Sequence, residues 1–484
     1  MRESKIHPGL PDGLIVFVKR DCPTCALVAP VLKNMARGGM PITVYTQDDP
    51  AFPPDVPGVV DDSSLDVSYR TGIEIVPTLL RVEGGRETAR ILGWNREEWR
   101  SLTGMLNLGT DLPENRPGCG SRAIEPGVVE RLAVRFGAAR FHSRVITVPP
   151  GADQAELAYE RGWTDGLPVM LPTEERVYRI LQGTRRDPQE VIGSIPPNLV
   201  ACTVEKVAIN AVMAGCKPEF MPVVLAAIEA ALTPDFNLHG VLATTNAIAP
   251  VVMVNGPMAR AIGMNFGGNA LGQGNRANAA IGRALQLVVR NIGGGRPGEI
   301  DRAVFGNPGK YSFCFAEDES DPRWDSFAVE RGFAPDVSTV TLFAGDGVNP
   351  IIDHMSRRPE DLAHTYAGCL RALYNPGQVN EVAAFLVVAP EHANVFYAAG
   401  WSKQRLKEEL HSRLRIPLKD VVEGRSGRLP MSSEELADPE RLIPKFRTGT
   451  LNIVRAGGSA GKYSAIISGL GSKSLKPVIK EITQ

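Results

Sequence analysis

Short apolar runs open the sequence and are separated by a mixed segment with helical spacing. Residues 13–18 and 42–46 are rich in β-branched side chains and predict two buried strands. Residues 26–36 lie between them and predict a helix that ends at Gly38-Gly39. This part of the chain is therefore predicted to form a β-α-β unit.

A hairpin and a helix complete the same predicted domain. Residues 77–82 and 88–92 are apolar runs joined by Gly84-Gly85, the pattern of two antiparallel strands with a turn. Asn95 precedes a pair of glutamates and predicts the N-cap of the last helix. The domain is expected to span residues 1–107.

Proline and glycine are frequent in residues 108–145, which predicts a linker. The linker carries Cys119 within Arg116-Pro-Gly-Cys-Gly-Ser-Arg122. One interpretation is an unused thiol. The other is a catalytic thiol, left unshielded by its glycine neighbours on a flexible arm that reaches Cys22 or a partner.

The remaining sequence, residues 146–484, repeats one pattern of apolar and polar positions. In 249–257, 384–392 and 451–459 an apolar run ends in a glycine or proline turn before a predicted helix. This pattern predicts a larger α/β domain whose strand ends carry a binding site. The predicted fold class is α/β throughout.

Composition narrows the classes of function. The 484 residues are 43% hydrophobic and 22% charged, with a formal net charge of −1, so two or three domains are expected. Balanced charge argues against a nucleic-acid partner, which needs a basic surface. The sequence has neither a bilayer-spanning apolar run nor a signal peptide, so no membrane partner is expected. Seven cysteines, an odd number, do not indicate a disulfide framework, and a cytoplasmic location is predicted.

Cys22 and Cys25 form the strongest chemical motif. Their Cys-Pro-Thr-Cys spacing places two thiols at the start of the predicted helix, where unpaired N–H groups and the helix dipole favour a thiolate. Lys19 and Arg20 add positive charge. Cys22 is predicted to attack, and Cys25 to resolve the mixed disulfide. Zinc is the competing use, but it needs further ligands at close spacing, so no metal or other cofactor is indicated.

Two stretches around the dithiol carry a family resemblance. Cys22-Pro-Thr-Cys-Ala-Leu-Val-Ala-Pro-Val-Leu32 is similar to the active-site helix of thioredoxins, and Gly72-Ile-Glu-Ile-Val-Pro77-Thr78 is similar to their cis-proline loop. Residues 13 to about 107 therefore resemble a thioredoxin- or glutaredoxin-like domain. The resemblance implies a cis Val76–Pro77 bond, with Pro77 facing the dithiol and a backbone edge beside it that pairs with a thiol substrate. Asp21 replaces the usual tryptophan of thioredoxins, and Pro-Thr replaces Gly-Pro, which is closer to glutaredoxins.

Asparagine and glycine dominate residues 265–278. Glycine lets a ligand approach backbone N–H groups and asparagine offers donors and acceptors, so this loop is a candidate for holding a carboxylate or phosphate. A structural loop that uses asparagine for left-handed turns is the alternative. The candidate substrate-binding residues in and before this loop are Asn255, Asn265, Asn269, Asn275 and Arg276.

Residues 456–463, Ala-Gly-Gly-Ser-Ala-Gly-Lys-Tyr, are a second candidate for anion binding. They match a nucleotide-binding P-loop only in part, because alanine replaces the first glycine and tyrosine replaces the Mg²⁺-binding hydroxyl residue. ATP is therefore not expected, and Ser459 and Lys462 are the predicted anion ligands. His392, beside Glu391, is a further candidate for substrate binding, acid–base chemistry or metal binding.

The large domain carries a second resemblance. The resemblance rests on three stretches, residues 162–168 (Gly-Trp-Thr-Asp-Gly-Leu-Pro), 204–216 and 307–314. Residues 110–484 resemble a bacterial family whose members are companions of small selenoproteins with a UGSC motif, some with an N-terminal thioredoxin-like domain. The resemblance implies a redox setting and a selenol or thiol partner.

Three hypotheses of function follow. The leading one is a thiol–disulfide oxidoreductase in which the Cys22/Cys25 dithiol acts on a small substrate, or on a partner thiol or selenol, held by the large domain. A cellular thiol reductant would supply electrons. The first alternative is a hydrolase or lyase in the large domain with a regulatory dithiol, either without a metal or with one at His354 or His392. The second is a scaffold that docks a selenoprotein-like partner.

Overall fold

Strands and helices alternate along the whole chain. The computed structural model describes residues 9–137, 140–423, 432, 434, 436–471 and 475–483. Contacts along the chain group it into two units, residues 1–140 and 141–484. Both units combine strands with helices, which confirms the predicted α/β class.

The first unit is built on a five-stranded sheet in the order β3-β2-β1-β5-β6. β1 runs parallel to β2 and antiparallel to β5, and β5 and β6 form the predicted hairpin. Its elements are β1 (Gly13–Val18), α1 (Pro23–Arg37), β2 (Ile42–Thr46), β3 (Val60–Asp61), α2 (Asp66–Arg70), β4 (Ile75–Val76), β5 (Thr78–Glu83), β6 (Arg86–Leu92), β7 (Trp94–Asn95), α3 (Arg96–Thr103), β8 (Asn115–Arg116), β9 (Cys119–Gly120) and α4 (Val128–Arg135).

Burial explains why α1 and β1 form where they do. Residues 14–18 of β1 are all buried, which fits a strand in the middle of a sheet. Val28, Leu32 and Met35 recur at helical spacing on α1 and share one core with this strand. The helix begins at Pro23, because proline is tolerated in the first turn, and Gly38 follows its last residue.

The segment predicted as a linker, residues 108–145, is instead folded through most of its length. Leu108 lies in the core of the first unit, and Leu112 and Cys119 pack against that core. β8 pairs with β7, and β9 pairs with β4. The glycines that indicate a linker serve here to bring two strands close together, and the division between the units falls after residue 140.

The second unit contains two four-stranded sheets, in the orders β13-β12-β14-β21 and β15-β20-β16-β19. Its helices are α5 (Gln154–Glu160), α6 (Glu174–Leu181), α7 (Val204–Ala214), α8 (Met221–Ala231), α9 (Leu238–Ala243), α10 (Pro257–Ala261), α11 (Arg276–Asn291), α12 (Phe327–Glu330), α13 (Pro359–Ala372), α14 (Pro390–Ala398), α15 (Lys403–Arg413) and α16 (Leu418–Val422). Its strands are β10 (Val191–Ile195), β11 (Val200–Thr203), β12 (Ala249–Asn255), β13 (Cys314–Ala316), β14 (Thr339–Gly345), β15 (Val348–Ile352), β16 (Val382–Val388), β17 (Arg415–Pro417), β18 (Leu442–Pro444), β19 (Phe446–Arg455), β20 (Tyr463–Leu470) and β21 (Val478–Glu481).

The two sheets pack face to face, with helices on their outer sides. Val251 and Met253 of β12 share one core cluster with Phe385 and Val387 of β16. Their alternate neighbours point outward, Val252 to the cluster of α7, α8 and α11 and Leu386 to the cluster of α13, α14 and α15. Both faces of each central strand are thus covered, which explains their continuous apolar runs.

Candidate functional site

Cys22 lies in the connection between β1 and α1, directly before the first residue of the helix. It is the N-cap residue of α1, with extended backbone angles (φ −143°, ψ 114°), and its carbonyl accepts the Ala26 N–H at 3.0 Å. The Cys25 N–H donates to the Cys22 Sγ at 3.3 Å. The sulfur therefore takes the place that a serine or aspartate oxygen has at other N-caps, and the free N–H groups of the first turn surround it.

The two thiols of the motif have opposite surroundings. A hydrogen bond from the Cys25 thiol, followed by one from the Cys119 thiol and the N–H groups of Cys25 and Thr24, lowers the pKa of Cys22 to about 5, although burial acts against this shift. Burial, with the neighbouring Cys22 sulfur, raises the pKa of Cys25 far above its usual range. Cys22 is thus a thiolate at neutral pH, and Cys25 a thiol that holds its proton.

The cis-proline loop faces this pair. The Val76–Pro77 peptide bond is cis, as the resemblance implies, and the Cys22 Sγ lies 3.4 Å from the Val76 carbonyl oxygen. The Pro77 carbonyl accepts the Gly93 N–H at 2.8 Å, which ties the loop to the end of β6. Pro77 is therefore held beside the dithiol.

Cys119 lies at the same place rather than on a flexible arm. β9 pairs antiparallel with β4, with Cys119 opposite Val76 and Gly120 opposite Ile75. The Cys119 thiol donates a hydrogen bond to the Cys22 sulfur, and burial and that sulfur raise the pKa of Cys119. The three cysteine side chains thus lie next to one another, and Cys119, which is half-buried, is the most exposed of the three residues.

Residues 113–121, here named the Cys119 segment, are held at both ends and in the middle. The Trp94 Nε1–H donates to the Pro113 carbonyl at 2.7 Å, and the Thr24 hydroxyl donates to the Pro117 carbonyl at 2.7 Å. At the far end, the buried Gln47 amide donates to the Ser121 hydroxyl at 2.8 Å. These contacts place Cys119 over Cys22 without any covalent link.

Gly118 lets the Cys119 segment approach the cis-proline loop closely. A Cβ atom at residue 118 would lie 2.4 Å from the Ile75 Cγ2 and 2.6 Å from the Val76 carbonyl oxygen. Gly93 also lies close to the Cys119 segment, since a Cβ there would lie 2.8 Å from the Arg116 carbonyl oxygen. At Gly120, in contrast, a Cβ would meet nothing within 4 Å.

The asparagine-rich loop is occupied by its own backbone. Asn265 and Asn278 exchange hydrogen bonds with each other's backbone or side chain, Asn269 has a left-handed backbone (φ 59°), and Asn275 caps α11. The Arg276 Nε–H donates to the Gly215 carbonyl at 2.9 Å. These contacts correspond to the structural alternative for the loop, in which asparagine side chains complete turns.

Two of the predicted binding loops lie side by side in the second unit. The Gly457 N–H donates to the Phe266 carbonyl at 2.9 Å, and a Cβ at Gly458 would lie 3.3 Å from the Gly268 Cα. Ser459 is exposed and Lys462 half-buried beside them. The loop of residues 265–278 and the loop of residues 456–463 therefore adjoin each other after the carboxyl end of β19.

Asn255 and His392 are tied into networks inside the second unit. The Asn255 side chain is fully buried and donates to Glu317 at 2.7 Å and to Glu319 at 3.0 Å. His392 is 1% exposed, lies 2.8 Å from the Ser464 hydroxyl and 3.1 Å from the Asp353 carbonyl, and burial lowers its pKa. Both residues therefore hold strand ends together and are covered from solvent.

The other cysteines are separate from the site. Burial raises the pKa of Cys202 and of Cys216 to about 12 and raises the pKa of Cys314 further. All three lie in the apolar cluster around α7, α8 and α11. Cys369 is half-buried on α13. These thiols are protonated at neutral pH and pack as small apolar side chains.

Thr24 and Gln47 are residues of the site that the sequence does not indicate. Each contacts the Cys119 segment across more than seventy residues of chain. Thr24 lies inside the Cys-Pro-Thr-Cys motif, so the sequence places it near the dithiol but does not indicate its contact with the Cys119 segment. Gln47 follows β2 without any motif of its own.

Neither a metal centre nor a membrane span is found in the part of the chain that the structure describes. Those residues contain no group of three or more His, Cys, Asp or Glu side chains that could hold a metal ion. No helix among them is long and apolar enough to cross a bilayer. In comparisons with known proteins, no family model matches the chain and no curated protein is significantly similar to it.

Proposed function

We propose that the protein is a thiol–disulfide oxidoreductase, and that Cys22 is its attacking thiolate. The observation that carries the proposal is the N-cap position of Cys22, where N–H groups and two neighbouring thiols donate hydrogen bonds to one sulfur. A thiolate that is stabilised at neutral pH is the reactive species in disulfide exchange. The resemblance to thioredoxins and glutaredoxins supports the same reaction.

The reaction proceeds in two exchanges. The Cys22 thiolate attacks one sulfur of a partner disulfide, which forms a mixed disulfide and releases the first partner thiolate. Cys25 then loses its proton to that leaving group and attacks Cys22, which forms the Cys22–Cys25 disulfide and releases the second partner sulfur. Two electrons pass from the dithiol to the partner, and the same steps run in reverse when the partner is a dithiol.

The second unit is proposed to hold the substrate, a small molecule or a partner thiol or selenol. The open space at Gly268 supports this assignment, because a Cβ there would meet nothing within 4 Å and a ligand can approach the backbone. Exposed Ser459 and half-buried Lys462 supply a hydroxyl and a positive charge in the adjoining loop. We place the reaction in the cytoplasm, where a thiol reductant regenerates the dithiol.

A redox titration tests the proposal. The full-length protein is equilibrated in glutathione buffers of graded potential, and the fraction of Cys22–Cys25 disulfide is measured after acid quenching and alkylation. We expect a reversible two-electron transition, in which the ratio of disulfide to dithiol changes tenfold for each ~30 mV of potential. Cys22→Ser and Cys25→Ser should both abolish it.

Cys369→Ser is the matched control, because Cys369 is a half-buried cysteine of the second unit. This variant should titrate as the wild type does. The proposal is wrong if Cys22→Ser leaves the transition unchanged, or if the wild type forms no Cys22–Cys25 disulfide at any potential.

A further inference from the structure

The edge of β4 is already occupied by the chain itself. An extended thiol substrate would add to this edge by backbone pairing, with its sulfur over the attacking cysteine. β9 takes that position, and its register puts Cys119 opposite Val76, the residue whose carbonyl lies 3.4 Å from the Cys22 sulfur. The Cys119 segment is thus arranged as a substrate would be.

The same arrangement covers the dithiol. Cys22 is 1% exposed and Cys25 is 0% exposed, whereas Cys119 is half-buried. Thr24 and Gln47 bind the Cys119 segment on either side of Cys119, so the cover is held by specific contacts. A thiol that arrives from solvent therefore meets Cys119 before it meets Cys22.

We propose that Cys119 is a third redox thiol, which carries the disulfide between Cys22 and an external thiol or selenol. This inference rests on the proposed function of the Cys22–Cys25 pair and adds the route by which that pair reaches its partner. Cys119 acts as an internal substrate at the edge of β4, and the external partner reacts with Cys119.

The transfer is a series of thiol–disulfide exchanges in which the Cys22–Cys25 disulfide is reduced and two external thiols are oxidised. The Cys119 thiolate attacks the Cys22 Sγ of the Cys22–Cys25 disulfide, so a Cys22–Cys119 bond forms and the Cys22–Cys25 bond breaks. Cys25 leaves as a thiolate and takes up the proton that Cys119 has lost. The external thiolate then attacks the Cys119 sulfur and frees the Cys22 thiolate. A second external thiol displaces Cys119, so that two external thiols become one disulfide.

The charge on Cys22 controls when Cys119 can react. In the reduced protein, burial raises the pKa of Cys119, and the hydrogen bond that it donates to the negatively charged Cys22 sulfur raises this pKa further. Formation of the Cys22–Cys25 disulfide removes that charge. Cys119 therefore becomes easier to deprotonate only when there is a disulfide for it to attack.

Disulfide mapping of the Cys25→Ser variant tests the inference. The full-length variant is incubated with oxidised glutathione, quenched in acid and digested with trypsin without reduction. Residues 21–33 then carry Cys22 alone, and residues 101–122 carry Cys119, so a link between these two peptides identifies the pair. We expect a Cys22–Cys119 disulfide as the main product, also with Cys25→Ala in place of Cys25→Ser.

Two glycines of the Cys119 segment give a matched pair of controls. Gly118→Ala forces a contact with Ile75 and Val76, and should lower the yield of the Cys22–Cys119 disulfide about tenfold, the change that about 1.4 kcal/mol of overpacking gives. Gly120→Ala meets nothing within 4 Å and should leave the yield unchanged.

The inference and the proposed function can fail separately. If Cys25→Ser and Cys25→Ala keep glutathione on Cys22 and form no link to Cys119, the inference is overturned. Cys119→Ser is measured in parallel and should still form the Cys22–Cys25 disulfide. Loss of that disulfide from both the wild type and Cys119→Ser would overturn the proposed function itself.

Discussion

Three chemically identical side chains meet in the first unit and differ only in what surrounds them. Cys22 receives hydrogen bonds from two thiols and from N–H groups of the first helical turn. Cys25 is more deeply buried, and burial disfavours its thiolate form. Cys119 is the donor in its contact with Cys22. The pKa of Cys22 is low because these donors favour its charged form, and the pKa of Cys25 is high chiefly because burial disfavours its charged form.

The first prediction concerns the charge on Cys22. In the reduced protein, absorbance of thiolate at 240 nm should titrate with a midpoint near the pKa of about 5. Cys25→Ala removes the largest stabilising hydrogen bond and should move this midpoint upward, and Cys22→Ser should remove the transition. A single midpoint near the ordinary cysteine value would contradict the assignment.

The same shift predicts how stability depends on pH. The pKa of Cys22 is lower in the folded than in the unfolded protein, so the thiolate stabilises the fold fully above the unfolded value of about 9 and not at all below about 5. The difference in unfolding free energy between reduced wild type and Cys22→Ala should therefore grow as the pH rises between these values.

Single residues of the site differ in how well the sequence predicts them. Cys22 and Cys25 follow from a short motif and Pro77 from the family resemblance, and the structure has Cys22 at the helix N-cap and a cis Val76–Pro77 bond. Thr24 and Gln47 contact residues far along the chain, so no local pattern marks them. A loop rich in asparagine can either bind a ligand or use its side chains to complete turns, and both kinds of loop have the composition of residues 265–278. Only the hydrogen bonds of the structure distinguish the two.

At the scale of elements, the pairing of β4 with β9 gives the site its shape. Strands this short leave no periodic signal in the sequence, and the prolines and glycines around Cys119 predict a linker. β1, β2 and the hairpin are long enough for apolar runs to mark them, and the structure confirms these predictions. The segment over the site is thus the part that sequence patterns describe least well.

A third prediction concerns the attachment of the Cys119 segment. Thr24→Val keeps the side-chain shape but removes the hydroxyl that donates to the Pro117 carbonyl. Loss of about 1 kcal/mol should expose Cys22 and raise its alkylation rate by iodoacetamide about fivefold. Thr103→Val, which removes a similar bond to the Trp99 carbonyl, is the control and should leave the rate unchanged. Equal rates in wild type and Thr24→Val would contradict the attachment.

A fourth prediction concerns how α15 packs in the second unit. Lys403 on α15 lies 3.1 Å from Glu317, with both side chains almost fully buried. Lys403→Met leaves the Glu317 carboxylate without its cation and should cost about 3–5 kcal/mol of unfolding free energy. Urea unfolding followed by tryptophan fluorescence measures this loss.

Lys407→Met is the control for that prediction. Lys407 lies 3.2 Å from Glu330 on the same helix face, but the pair is partly exposed. Solvent screens such a pair, so its loss should cost about 1 kcal/mol or less. Equal losses in the two variants would show that the buried pair has no special role.

At the scale of the whole molecule, two units of different construction share one chain. The first has a single sheet, and the second has two sheets packed through Phe343 and Phe385, whose stacked rings lie 4.0 Å apart. The strand-then-turn pattern predicts the α/β class of the second unit. It does not predict two sheets, because a strand buried between sheet and helices has the same continuous apolar run in either arrangement.

We propose redox chemistry for the first unit only, because the cysteines of the second unit lie in surroundings that oppose thiolate formation. Burial raises the pKa of Cys202, Cys216 and Cys314, and it also raises that of Cys369. A thiolate is needed for exchange with a disulfide. Oxidation should therefore be confined to one part of the molecule.

A disulfide map of the full-length wild-type protein tests this central claim most directly. The protein is incubated with oxidised glutathione near neutral pH, free thiols are blocked in denaturant, and all cysteine peptides are identified by mass spectrometry without reduction. The predicted result is that disulfides involve only Cys22, Cys25 and Cys119, while the cysteines of the second unit are recovered as thiols. The contradicting result is that Cys22 is recovered as a thiol while a cysteine of the second unit is oxidised.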